Sequence, residues 1–434
     1  MNQPRRIVVI LILVLITIGL IIGAYIFFVK QPKDLSFFGG TSTSTPQFVP
    51  LGRPPTNNAT SSSAAATSTG TQNPSGTPVT QSEIKPLRLI SNTPVGGYAA
   101  STTATTTIIR WVDRGRGNVY ETTGGTLDVV TLSNTLLPRV YVSTWGKNMT
   151  SFIGSILQRG DADPVVVYAQ LARPGISPTS TPGGQDLTVM PTPFELRGKN
   201  LPTGTAAYAV SPSKDKIIFV VKDQSGSTGY TANFDGTRIA QLFKTPLTQI
   251  SVEWPSESTI ALTTNAGASQ NGYLYFIDVK TGTWTKILGP LKGLAARVSH
   301  DAKHILISTS VDRGVSTNMY TVASSTGVDT SIKTLADKCV WGNFYKNTVY
   351  CAVPFQSVSG TYPDDWYEGK LSTVDKMWQI DAQTGQTRLV GQILGQAGRP
   401  IDAYNLGLDD KDNFLFFMNK NDLSFWSLDL VRSN

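Results

Sequence analysis

Histidine is nearly missing from this chain: His300 and His304 are the two in 434 residues. Any Ser-His-Asp relay would have to use one of them, and no Gly-x-Ser-x-Gly elbow is present to supply the serine. Both sit in one segment, His300-Asp-Ala-Lys-His304, expected to be a solvent-facing hairpin turn. With no third histidine and no partnering cysteine they fall short of a metal ligand set. Phosphate loops and dinucleotide glycine patterns are absent as well, so no cofactor is expected. Charge of one sign is also scarce once it is apportioned. The net charge is +7, but Arg5, Arg6, Lys30, Lys33, Arg53 and Lys85 against Asp34 and Glu83 place +4 in the first 85 residues. The remainder carries +3, which is no basic footprint for nucleic acid.

What is present is repetition. A short apolar strand gives way to a polar turn and a second apolar strand, over and over, at roughly 40–60 residues. The inner turns read Val210-Ser-Pro-Ser-Lys-Asp-Lys-Ile217 and Val298-Ser-His-Asp-Ala-Lys-His-Ile305, with a similar run from Leu408 to Phe414. A second kind of turn reads Asp278-Val-Lys-Thr-Gly282 and Asp381-Ala-Gln-Thr-Gly385, and weaker copies are Phe234-Asp-Gly-Thr237 and Ser324-Ser-Thr-Gly327. The strands after the inner turns (IIFVV, IALTT, HILIS and VYCAV) are β-branched and aromatic, as sheet packed on both faces requires. No helical pattern interrupts them. The expectation is an all-β, seven-bladed β-propeller. Its blades fall at about 95–134, 137–201, 205–246, 247–292, 293–337, 338–395 and 401–430. The last is too short for four strands, and segment 85–91 is the simplest source of the fourth, which would close the ring and remove its edges.

At the inner turns the chain resembles the propeller repeats of the TolB and WD40-like class, whose hairpin reads roughly W-S-P-D-G-K-x-I-x-F. The match is good over 200–336 and holds elsewhere by pattern. The first two blades (IIRWVDRGRGNVYETT and LSNTLLPRVYVSTW) and the sixth (KCVWGNFYKNTVYCAVP with YPDDWYEG) look like bacterial membrane-anchored propeller proteins. This resemblance implies a fold and a topology and no activity.

Ahead of the repeats, residues 7–29 form an uncharged apolar run. As a helix it would be about 34 Å long, enough for a hydrocarbon core of about 30 Å. It is longer than a signal-peptide core and ends in Tyr25, Phe27 and Phe28 rather than small residues, which favours a retained anchor. Arg5 and Arg6 before the span predict residues 1–6 in the cytoplasm and the propeller outside. Residues 30–84 are dominated by Ser, Thr and Pro and read as a flexible stalk, whose 39–81 stretch spans on the order of 35–40 Å as a coil.

Carboxylates gather most densely beside aromatics at Tyr362-Pro-Asp-Asp-Trp-Tyr-Glu368, in a long loop after VYCAVP. Tyr362, Asp364, Asp365, Trp366 and Tyr367 fit recognition of a sugar, a cation or a peptide. The competing expectation is that Trp366 folds down to cap the blade while the two acids cap a local turn. Adjacent acids in one loop lack the separation across a cleft that glycosidases use. Asp409, Asp410 and Asp412 do not fit an EF-hand and read as a hairpin turn. Cys339 and Cys351 lie on successive strands of one hairpin. Outside the membrane they read as a disulfide worth at most about 3 kcal/mol, in the cytosol as two buried thiols.

The function expected from these features is a single-pass, membrane-anchored, extracytoplasmic propeller that binds another protein or a surface polymer without catalysis. One alternative is an enzyme acting on a cell-surface carbohydrate or polymer, and another is a structural envelope component. No α/β-hydrolase-like region, of the kind propeller peptidases carry, is expected after the repeats. Three or more acids and an arginine converging at the channel mouth would favour the enzyme; an apolar, aromatic rim would favour the binder.

Overall fold

A computed structural model describes residues 47–48 and 85–433, apart from 159, 161–162, 175–192, 266 and 358. The apolar run 7–29, and the stalk apart from residues 47–48, lie outside the described residues. Among the described residues no helix is long and apolar enough to cross a membrane.

Among the described residues seven antiparallel sheets follow one another along the chain, and apart from the outermost strands of blades two and seven each is laid down in sequence order from its innermost strand outward. Blade four is Ile250–Ser256, Thr259–Thr264, Asn271–Asp278 and Trp284–Lys292; blade five starts with Ala295–Val298 and blade six with Cys339–Trp341. Blade seven has Ala403–Leu408, Phe414–Asn419 and Phe425–Asp429, and its fourth strand is Leu87–Ser91 from the other end of the propeller. In that pairing Leu87 faces Leu428 and Leu89 faces Trp426 across the ladder.

The turns explain their own sequence motifs. In the Asp-x-x-Thr-Gly turns the Asp278 carboxylate accepts the N–H groups of Lys280 and Thr281 at 2.9 and 2.8 Å. Asp381 does the same for Gln383 and Thr384 at 3.0 and 2.8 Å. Gly282 and Gly385 then take φ of 69° and 73°, where a Cβ would be strained. In the inner turns the Ser211 and Ser299 hydroxyls accept the N–H of Lys216 and His304 at 3.0 and 2.9 Å. These bonds hold the reversal without help from neighbouring blades.

The apolar cores lie between blades. Tyr350, Ala352 and Met377 of blade six meet Leu415, Phe417 and Trp426 of blade seven, and Leu87 of the closing strand joins them. Ile90 from the opposite side of that strand packs with Val95, Ile109 and Trp111 of blade one. The Arg88 guanidinium donates to the Thr123 carbonyl at 2.8 Å and to the Thr122 hydroxyl at 3.0 Å. The closing strand therefore seals two interfaces at once. Cys339 and Cys351 are opposite one another on the first two strands of blade six and are joined as a disulfide.

Two expectations need correction, and a third holds with an added role. Residues 47–48, read as stalk, form a strand on the outer edge of blade two, with Gln47 opposite Lys199 and Phe48 opposite Gly198; an open sheet edge offers main-chain bonds that are indifferent to side-chain polarity. The hairpin turn at Asp409–Asp412 also staples blade seven to both neighbours. Asp410 accepts from the Ser101 hydroxyl and the Thr102 N–H at 2.7 and 3.1 Å. Asp412 accepts the N–H groups of Asn343, Phe344 and Tyr345 at 2.8, 3.1 and 2.9 Å. His300, finally, is not solvent-facing: it is half-buried, and its Nε2 has no hydrogen-bond partner.

Two outcomes are expected. Removing residues 85–91 from the full chain should lower the melting temperature or cause aggregation, because blade seven keeps three strands and a raw edge; unchanged melting would rule out closure as a source of stability. Burial, aided by Lys346 and opposed by Asp412, lowers the His300 pKa below its ordinary 6.5. The unfolded chain then binds the proton first, so stability is full above pH 6.5 and falls as pH drops from there through the lower folded value. His300→Gln should flatten this limb of a melting-temperature profile against pH.

Candidate functional site

Where blades four, five and six meet, a cavity of about 510 Å³ opens beside the innermost strands. Ser251 and Glu253 come from the first strand of blade four, and Arg297 from the first strand of blade five. Asp337 sits in the short 3-10 turn Ala336–Lys338 that leads into blade six. Asp364 and Tyr367 come from the single helical turn Asp364–Tyr367 in the long loop of blade six.

Arg297 is the hub of the polar wall. One guanidinium nitrogen bonds Glu253, and the other reaches Asp337 at 2.9 Å. The second Glu253 oxygen accepts the Val298 N–H at 3.2 Å. Burial alone would ease the proton off Arg297, but Asp337 and Glu253 outweigh it and raise its pKa. The Tyr367 hydroxyl donates to the other Asp337 oxygen, while half of the tyrosine surface stays exposed. Lost hydration of the hydroxyl and the Asp337 charge both push Tyr367 upward, so it stays a donor. Asp364 is served least: its two oxygens share the single N–H of Ala268, at 3.2 and 3.1 Å. Gly267 lies directly against this carboxylate, so that a Cβ there would make a tight contact of 3.2 Å with it.

Beneath the helical turn lies a buried charge cluster. Lys338 contacts Asp402 at 2.6 Å, Asp375 at 2.8 Å and the Thr373 hydroxyl at 2.6 Å, with all four side chains out of water. Burial pushes Asp375 up, whereas Lys338, together with Trp366 and Thr373, holds Asp402 below its usual range despite burial. The Trp366 indole N–H points into this cluster, 3.1 Å from each Asp402 oxygen. Lys338 and Lys420 lie 5.3 and 5.1 Å from its ring.

The loop singled out in the sequence is thus divided by the fold. Trp366 and Tyr362 are each 5% exposed and pack with Val315, Leu335 and Leu371, so they are not contact surface. Asp365 caps a local turn through the Thr361 N–H at 2.7 Å. Only Asp364 and Tyr367 of the five reach the cavity. Cys339 and Cys351 are buried in the core between blades five and six and do not line it. Sequence reading missed Glu253, Arg297 and Asp337. The signal available was their spacing: Glu253 and Arg297 are 44 residues apart, one blade period, so equivalent strands bring them side by side. Among the described residues no set of three His, Cys, Asp or Glu is arranged to hold a metal ion.

No protein-family model matches the chain, and no curated protein matches it. Solved structures do. TolB from Acinetobacter baumannii matches at 10% identity and a TM-score of 0.38, over 73% of this chain and 60% of that one. A puromycin-hydrolyzing peptidase of Mycobacterium tuberculosis matches at 12% identity and 0.44, over 74% and 50%. The β-propeller domain of the Trilobed protease from Pyrococcus furiosus matches at 9% identity and 0.47, over 76% and 96%. The chain spans 60% of the TolB structure and half of the peptidase. These likenesses stop at the β-propeller fold, which the sheet order of this chain establishes by itself.

Trp366→Ala should cost about 3–5 kcal/mol in a denaturant titration, the range for a buried aromatic. Trp366→Phe keeps most of the packing but leaves Asp402 without its indole donor, and should cost about 1–3 kcal/mol. A Trp366→Ala protein as stable as the parent would contradict the packing role.

Proposed function

We propose that this chain is a single-pass membrane protein whose extracytoplasmic propeller binds another protein or a cell-surface polymer, with no catalysis of its own. The anchor and orientation rest on the apolar run 7–29 and on Arg5 and Arg6 before it. The observation that carries the binding role is the preorganised wall of the cavity. Arg297, Glu253, Asp337 and Tyr367 are already locked to one another across blades, which suits a rigid recognition surface whose groups need no reordering when a partner arrives.

A second reading is an enzyme acting on a cell-surface carbohydrate or polymer. Its support is the convergence of Glu253, Asp337 and Asp364 with Arg297, although the Arg297 ion pairs already occupy two of the three acids. Incubating the purified full chain with cell-envelope fractions separates the two. Retention of a component with unchanged mass supports binding; release of smaller fragments that stops with Glu253→Gln supports the enzyme. Protease added to intact cells should free a soluble propeller by cutting between the anchor and residue 85. A propeller that stays protected would reverse the topology.

A further inference from the structure

We propose that the cavity between blades four, five and six receives a positively charged side chain, the ammonium or guanidinium group of a basic segment in a protein partner. This rests on the binding role proposed above and names the chemistry of what is bound. The charge of the lining favours a cation. Glu253, Asp337 and Asp364 against Arg297 leave the ionisable lining at −2. A neutral ligand would strip water from that charge without compensating it. An anion would add to it.

Geometry narrows the class further. Arg297 is spent on Glu253 and Asp337, so the cation already present does not serve Asp364. Asp364 has two oxygens for one shared backbone donor, which leaves lone pairs for an incoming N–H group. The hydroxyls of Ser251, Thr263 and Thr264 and the amide of Asn265 line the same space and can accept the remaining donors. Tyr367, half exposed and also on the lining, offers a ring face to a cation. A bare metal ion does not suit the site, because its acids are not grouped to hold one. A volume of about 510 Å³ instead matches an extended organic group.

The test uses the purified full chain in detergent and three probes: blocked tri-lysine, blocked tri-glutamate and a neutral dextran oligosaccharide, each followed by calorimetric titration. Tri-lysine should bind at one site, more weakly as salt rises, while the other two should not bind. Asp364→Asn should weaken tri-lysine by about tenfold with melting unchanged. Ser251→Lys, which places a cation on the cavity wall, should abolish binding. Glu257→Gln removes the same charge from the inner turn of the same blade, away from the cavity lining, and should leave affinity as it was. The proposal is overturned if tri-lysine does not bind, if Asp364→Asn and Ser251→Lys bind it as well as the parent, or if the oligosaccharide binds in an Asp364-dependent way. An envelope component retained unchanged by a chain that ignores tri-lysine would overturn this inference alone and leave the binding role standing.

Discussion

The pairing of Leu87–Ser91 with Phe425–Asp429 is the constraint on which the rest of the ring depends. Seven sheets in sequence order make an arc with two ends, and each end would expose unpaired N–H and C=O groups and one face of apolar side chains. One strand resolves both problems. Its backbone completes blade seven, Leu87 finishes the core shared with blade six, and Ile90 finishes the core shared with blade one. Blades four to six are held at their spacing by their own apolar contacts, four against five and five against six, and the cavity opens where their innermost strands meet.

A second tier of order is electrostatic. Lys338, Asp375 and Asp402 are buried together, an arrangement that costs desolvation and gives little net stability in return. What it supplies is position. Asp402 holds the indole of Trp366, and the helical turn containing Trp366 carries Asp364 on one side and Tyr367 on the other. A purely apolar socket would accept that indole in several rotations. The buried acceptor admits one, so the two cavity residues are presented in a defined geometry. The same logic appears at Asp412, which gathers three backbone N–H groups of the blade six inner turn.

Much of the architecture is legible in the chain because its signals are local. The Asp-x-x-Thr-Gly turns at 278–282 and 381–385 are self-contained hydrogen-bonded units, and β-branched runs such as 217–221 declare strands without reference to neighbours. Counting them gives the seven blades. The site is less legible. The segment 362–368 draws attention by composition, yet Trp366 and Tyr362 face inward and Asp365 serves its own turn. Residues 47–48 escaped notice because a two-residue strand on an open edge needs no sequence pattern.

The repeat, the strand content, the turn chemistry and the shortage of strands in the last blade are written in the chain, since each depends on residues within a few positions of one another. Which charges meet is a property of the folded ring. Glu253, Arg297, Asp337 and Asp364 belong to three blades, and nothing in the local sequence of any one of them distinguishes it from other surface charges. Glu253 and Arg297 meet because adjacent blades set equivalent strands side by side, and Asp337 and Asp364 reach them from the turn and the loop of blade six; a Coulomb interaction depends on distance through space rather than on separation along the chain.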